Sequence, residues 1–140
     1  MSKPVLGIIG GGQLGSMLVT AAKKIGIKTV IFCDDQDAPA QNFSDKFICG
    51  KYDDQNIIDE FINAIDIATF EFENIPYETL NKINNIKSVL PNPSINKIVQ
   101  NRLFEKDYIN KLNIRTTQYV SINNEKEIYI NKDFLPGLLK

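Results

Sequence analysis

Two short stretches of this chain combine residue types and spacing that could do chemistry. The first is Gly10-Gly11-Gly12-Gln13-Leu14-Gly15, which fits the pattern G-x-G-x-x-G. Glycines at this spacing permit a tight turn at Gly10, close approach of a ligand to the backbone at Gly12, and close packing of a following helix at Gly15. The free N–H groups of that helix start face an anion, so the turn points to a phosphate or a nucleotide without saying which. The same glycines would also serve a tight strand-to-helix turn with no ligand. The second stretch is Thr69-Phe70-Glu71-Phe72-Glu73-Asn74-Ile75-Pro76. Alternation along a strand sends Phe70 and Phe72 one way and Glu71 and Glu73 the other. A carboxylate inside a covered parallel sheet is costly unless it is partnered. Glu71 is therefore expected at the carboxyl end of its strand, accepting hydrogen bonds from an amine or from ribose hydroxyls. Glu73 reads equally well as a solvated side chain.

The elements that must hold these stretches follow from hydrophobic periodicity. Val5 to Ile9 is a short apolar run closed by glycines, as expected of a buried parallel strand. Leu14, Met17, Leu18, Ala21, Ala22 and Ile25 recur at helical spacing, and Gly26 supplies the stop. Ile27 to Cys33 reads as a second strand, which completes a βαβ unit of right-handed connection. Lys46 to Cys49 reads as a third strand and Ile67 to Phe72 as a fourth, with a helix over Asp53 to Ala64 between them. Pro76 suits the first position of a helix running to about Asn84, and Ser88 to Leu90 a fifth strand. Past Pro93 the alternation weakens. One or two helices are expected within Ile95 to Leu112, a strand over Thr116 to Ile122, a short helix over Asn124 to Asn131 and the opening of a strand at Leu135 to Lys140. The expected architecture is a doubly wound parallel α/β domain over residues 1–92, followed over 93–140 by the start of something larger.

Composition narrows the function further. The chain has 140 residues, a net charge of −1 and no histidine. A His-based triad and a His-ligated metal are excluded within it, and nothing suggests a nucleic-acid or membrane-surface partner. Cys33 and Cys49 lie in apolar runs without metal-ligand spacing. Both read as buried, reduced core residues of a cytoplasmic protein, with a disulfide between them the less expected state. The apolar run at the N-terminus is too short for a signal peptide or a membrane span. Asp34 and Asp35 sit where a dinucleotide-binding domain places the acid that holds a ribose, so an NAD-binding domain of an oxidoreductase is the alternative reading.

Several further stretches, taken with the first two, carry a family resemblance. They are Asp37-Ala-Pro-Ala40 followed by Asp45, Tyr52-Asp-Asp54, Glu71-Phe-Glu-Asn74, Gln100-Asn-Arg-Leu-Phe-Glu-Lys106, Leu112-Asn-Ile114 and Leu135-Pro-Gly-Leu-Leu-Lys140. In this order and spacing, with the Gly-Gln-Leu-Gly turn, the chain resembles the N5-carboxyaminoimidazole ribonucleotide synthetases of the ATP-grasp superfamily. The resemblance implies a ligase that uses ATP and bicarbonate to carboxylate 5-aminoimidazole ribonucleotide in purine biosynthesis. It implies that the N-terminal domain is Rossmann-like and binds the ribonucleotide through Gly12, Gln13, Leu14, Glu71, Glu73 and Asn74. It places Arg102 and Lys140 at ATP, in the opening part of the small ATP-grasp subdomain. No residue of this chain is assigned a catalytic or metal-binding role, because the family's magnesium ligands and its glycine-rich loop over ATP lie further along. The family's chain is much longer, so the expectation is that this chain binds substrate and is inactive alone. The family is often dimeric, which makes a homodimer a candidate assembly of the full-length protein.

Overall fold

The first apolar run forms β1, Val5–Ile9, and the helical pattern after the glycines forms α1, Gln13–Lys24. There follow β2 (Lys28–Cys33), β3 (Lys46–Cys49), α2 (Gln55–Ala64), β4 (Ile67–Phe70), α3 (Tyr77–Asn84), β5 (Val89–Leu90), α4 (Pro93–Val99), α5 (Arg102–Lys111) and α6 (Glu125–Ile130). The coordinates are a computed structural model and describe residues 3–139. They divide into two compact units, one ending at Gln100 and one beginning at Asn101.

In the first unit all five strands are parallel, in the order β3-β2-β1-β4-β5. Strand order reverses between β1 and β4, and open sheets of this kind bind ligands outside the carboxyl ends of the strands at such a point. Two aspartates fix the register at the opposite end. Asp66 accepts from Val5 N at 2.7 Å and returns its own N–H to Val5 O at 3.0 Å. Asp45 does the same for Thr29, at 2.8 and 3.2 Å.

The sheet is covered on both faces. On one, Ile9, Phe32, Ile58, Phe61, Ile62, Ile75, Leu80 and Ile83 form a continuous core. Asp54 starts α2 there by accepting from Asn56 N and Ile57 N, the short polar cap that satisfies orphan amides. On the other face Ile8, Val19, Ile31, Cys33, Ala38 and Ala40 pack together. The face that α1 buries differs from the expected stripe. Gly15, Val19 and Ala22 are buried, whereas Leu14, Met17 and Ile25 are 56%, 60% and 62% exposed. At 100° per residue the two sets lie about 120° apart around the helix axis. Only the set with small side chains lets the helix settle close over Ile8 and Ile31. A methyl on Gly15 would lie 2.8 Å from Gly10 O, which shows how close that approach is. The helix ends as expected at Gly26, whose φ of +68° accompanies bonds from Gly26 N to Lys23 O and from Ile27 N to Ala22 O, the paired closure of a Schellman end.

Three further boundaries differ from the sequence reading. β4 stops at Phe70, so Glu71 and Glu73 follow the strand, and Phe72, expected as its last residue, lies outside it and is 40% exposed. Pro76 precedes α3 as its cap and is not its first residue. α4 belongs to the first unit, which therefore runs eight residues beyond the boundary expected at residue 92. Packing explains this: Asn96 on α4 is fully buried and donates to Ile75 O at 3.0 Å.

The second unit begins with α5, capped by Asn101, which accepts from Leu103 N and Phe104 N. Asn113 closes this helix at φ 60°, with Ile114 N bonded to Ile109 O. The strand expected over Thr116 to Ile122 is absent. This segment is held by side chains instead: Tyr119 donates to Asp107 at 2.6 Å and Lys106 donates to Thr117 at 2.7 Å. No described strand lies beside it in this unit, and an extended segment without a ladder partner is not a strand. Leu135 to Leu139 likewise forms no strand, and Lys140 lies outside the described residues. None of the described residues from Asn101 onward is buried.

Candidate functional site

The glycine turn leaves β1 at Gly10, whose φ of +112° is open to glycine and strained for other residues. Gly10 N donates to Phe32 O at 2.9 Å, which ties the turn to β2. Ala40 N donates to Gly11 O at 3.0 Å, which holds the turn under the loop after β2. Gly12 caps α1 and offers no side-chain acceptor to the first-turn amides, and that turn contains no acid of its own.

The acid comes from the residue just after β4. Glu71 N donates to Ile9 O at 3.2 Å, which continues the β1–β4 ladder and fixes where its side chain starts. The carboxylate then lies in the hollow that the glycines leave. A methyl on Gly10 would stand 2.6 Å from Glu71 Oε1, one on Gly15 3.5 Å and one on Gly12 3.7 Å. Any side chain at Gly10 would displace it. The Glu71 side chain is partly buried and has no hydrogen-bond or ion-pair partner among the described residues. A negative charge at a helix start is favourable, but a second anion in the same hollow would meet a carboxylate. The geometry therefore suits a ligand that presents donors, an amine or hydroxyls, to Glu71. It suits a pyrophosphate pressed into the turn poorly, which weighs against the dinucleotide reading. Asp35, one of the two candidate ribose acids of that reading, instead accepts from Asp37 N at 2.9 Å within its own loop.

Of the residues expected at the site, Gly12 caps α1 beside Glu71, and Gln13 and Leu14, the first two residues of α1, are exposed. Glu73 and Asn74 are exposed in the turn after Glu71. Sequence reasoning missed what holds that turn. Gln100 donates to Glu73 O at 2.8 Å and to Ile75 O at 2.7 Å, and Asn96 donates to the same Ile75 carbonyl. Amides that act on backbone across 21 to 27 positions of sequence leave no local pattern to find. Arg102 is the first residue of α5, in the second unit, and donates to Glu105 at 2.6 Å. Lys140 lies outside the described residues. A hollow in the second unit, lined by Asn110, Thr116, Tyr119 and Phe134 among others, contains none of the expected site residues. Among the described residues no group of three or more Cys, Asp or Glu is placed to hold a metal ion.

A parallel sheet whose switch point combines a glycine turn, an open helix start and a carboxylate just after the neighbouring strand defines a doubly wound α/β domain with a candidate ligand site at that point. Residues 2–100 match the family model of the ribonucleotide synthetase preATP-grasp domain, and the chain belongs to that family. The N5-carboxyaminoimidazole ribonucleotide synthase of Brucella melitensis is 37% identical over 123 residues, which cover 88% of this chain and 34% of that protein. The bifunctional purine synthesis protein purC/E of Dictyostelium discoideum is 36% identical over 137 residues, 96% of this chain and 14% of that protein. The crystal structure of N5-carboxyaminoimidazole synthetase from Staphylococcus aureus complexed with ADP superposes with a TM-score of 0.83 at 30% identity, over 94% of this chain and 35% of that one. The chain thus spans about a third of the synthetases it matches.

Proposed function

We propose that this chain is the substrate-binding part of a ligase that uses ATP and bicarbonate to carboxylate 5-aminoimidazole ribonucleotide to N5-carboxyaminoimidazole ribonucleotide in purine biosynthesis. One observation carries the reading: Glu71 sets an otherwise unpartnered carboxylate in the glycine hollow at the switch point of the sheet. The family match over residues 2–100 and the names of the relatives support it. In this reading Glu71 accepts hydrogen bonds from the amine or the ribose hydroxyls of the ribonucleotide. Gly12, Gln13 and Leu14 contribute backbone and side chain at the helix start, and Glu73 and Asn74 line the entry.

The second unit is proposed as the beginning of the small ATP-grasp subdomain, with Arg102 and Lys140 directed to ATP. A cation at the phosphates offsets charge that moves during transfer. The magnesium ligands are then proposed to lie beyond this chain, with bicarbonate as co-substrate, and the chain alone is expected to turn over no ATP. The protein is proposed to work in the cytoplasm, and in its full-length form as a homodimer. No described helix is long and apolar enough to cross a membrane.

Calorimetric titration with 5-aminoimidazole ribonucleotide, NAD and ATP in parallel tests the proposal. Saturable binding of the ribonucleotide that Glu71→Ala weakens is the expected result. Binding of NAD alone, or ribonucleotide binding indifferent to Glu71, would overturn it. Bicarbonate-dependent ADP release by the 140-residue chain would overturn the assignment of catalysis to residues beyond it.

A further inference from the structure

The two cysteines, read from the sequence as buried and reduced core residues with a disulfide the less expected state, are neighbours. In the β2–β3 ladder Cys33 is the register partner of Cys49. Neighbouring strands run about 4.8 Å apart, inside the Cα separation of about 4.4–6.8 Å that disulfides span. Both side chains lie on the same face. Cys33 belongs to the cluster of Ile8, Ile31 and Ala38 under α1, and Phe47, two residues before Cys49 on β3, packs against that same cluster. A period of two along the strand puts Cys49 on the side of Phe47. Cys33 is buried, whereas Cys49, on the edge strand, is only half-buried. Cys49 is the more accessible of the two, a departure from the expectation that both are enclosed. Burial above all, then Cys33 and the carboxylates of Asp35 and Asp34, raises the Cys49 thiol above its usual range. Both cysteines are free thiols.

The pair also touches the ligand turn. A methyl on Gly11 would stand 2.9 Å from Cys33 Sγ, so the sulfur packs directly against the turn backbone. Asp35 N points at the same sulfur from the other side, at 3.4 Å. A change of bonding at Cys33 Sγ is therefore passed to Gly11.

We propose that Cys33 and Cys49 form a dithiol site that closes reversibly to a disulfide at the expense of a low-molecular-weight disulfide, and that closure shifts the glycine turn. Cys49, the accessible member, attacks the small disulfide as its thiolate. The S–S bond of the reagent breaks, one small thiolate leaves and a mixed disulfide forms on Cys49. Cys33 then loses its proton and attacks the Cys49 sulfur, and the second small thiolate leaves. The protein gives up two electrons and two protons, and the reagent is reduced to two thiols. A reduced thiol pool runs the steps backwards. The site rests on the strand pairing and not on the ligand assigned to the turn, so it stands or falls apart from that assignment.

The chain is incubated folded with oxidised glutathione, quenched with acid and alkylated in denaturant, and its intact mass is read. The expected product carries no alkyl group and no glutathione and has lost two hydrogens. Cys33→Ser stops at the mixed disulfide, and glutathione stays on Cys49. Persistent glutathione on the wild-type chain, two alkylatable thiols throughout, or linkage between chains in place of internal closure would each overturn the site. The wild-type reaction decides this even where a variant folds poorly. In two-dimensional amide spectra of the same samples the Gly11 resonance shifts on closure and returns on reduction. Closure that leaves Gly11 unmoved would overturn the coupling to the turn.

Discussion

Helix α2 in the first unit and helix α5 in the second are each 10 residues long. Each is started by a side chain that accepts from two amides, Asp54 in one and Asn101 in the other. They differ in what they bury. α2 hides Ile58, Phe61 and Ile62 against the sheet, whereas α5 hides nothing, and Phe104 on it is 58% exposed. Caps and local propensity decide that a helix starts, and most of its stability comes from packing an apolar face. The first unit supplies a five-stranded sheet for that purpose. The second holds its extended segment to α5 through Tyr119, Asp107, Asn110 and Lys106. Polar contacts at or near the surface contribute little each. The difference separates a part that carries its own core from a part whose apolar side chains have no core among the described residues.

The sharpest way to break this comparison is to truncate the matched aromatics. Phe61→Ala is expected to cost about 3–5 kcal/mol in urea unfolding, since a fully enclosed ring is lost and a cavity left. Phe104→Ala is expected within about 0.5 kcal/mol of the parent, as for exposed substitutions generally. Equal costs would mean that α5 is packed as tightly as α2. Next comes the clamp on the site loop. Asn96→Ala leaves Ile75 O dependent on Gln100 alone and opens a gap at a buried position, with an expected loss of about 1–3 kcal/mol in the same measurement. Glu71→Ala is expected to weaken ribonucleotide binding in calorimetry by a similar amount, about 1–3 kcal/mol, by removing a charged acceptor. Its unfolding midpoint should hold, because no described group is left unpaired. A further polar contact lies in the second unit. Tyr119→Phe removes the hydroxyl shared with Asp107 and Asn110, and loss of this half-buried hydrogen bond is expected to cost about 1 kcal/mol. Hydrogen exchange would show its consequence, faster exchange over residues 116–119, with the amides of β1 and β2 unchanged.

The first unit was largely legible because its elements obey local rules. Apolar runs bounded by glycine or proline became strands, and Gly26 ended α1 where its chemistry places a stop. The glycine turn and Glu71 were both recognisable as candidates. Their meeting was not, because 61 residues separate Gly10 from Glu71 and only the β1–β4 pairing brings them together. The second unit was less legible. Thr116 to Ile122 has the composition of a strand, but a strand also needs a neighbour, and composition does not supply one.

What the sequence determined by itself is the five strands of the first unit, the glycine stop of α1 and the residue types that make the candidate site. Spacing and side-chain chemistry act within a few residues, and these features are local. Tertiary structure alone decided that α1 turns its small face inward and leaves Leu14, Met17 and Ile25 outside. It decided that Glu71 fills the glycine hollow, that Asn96 and Gln100 hold the following turn, and that Cys33 lies beside Cys49. Each of these depends on strand order, which brings distant residues to van der Waals distance, and the local pattern of a sequence carries no record of such distances.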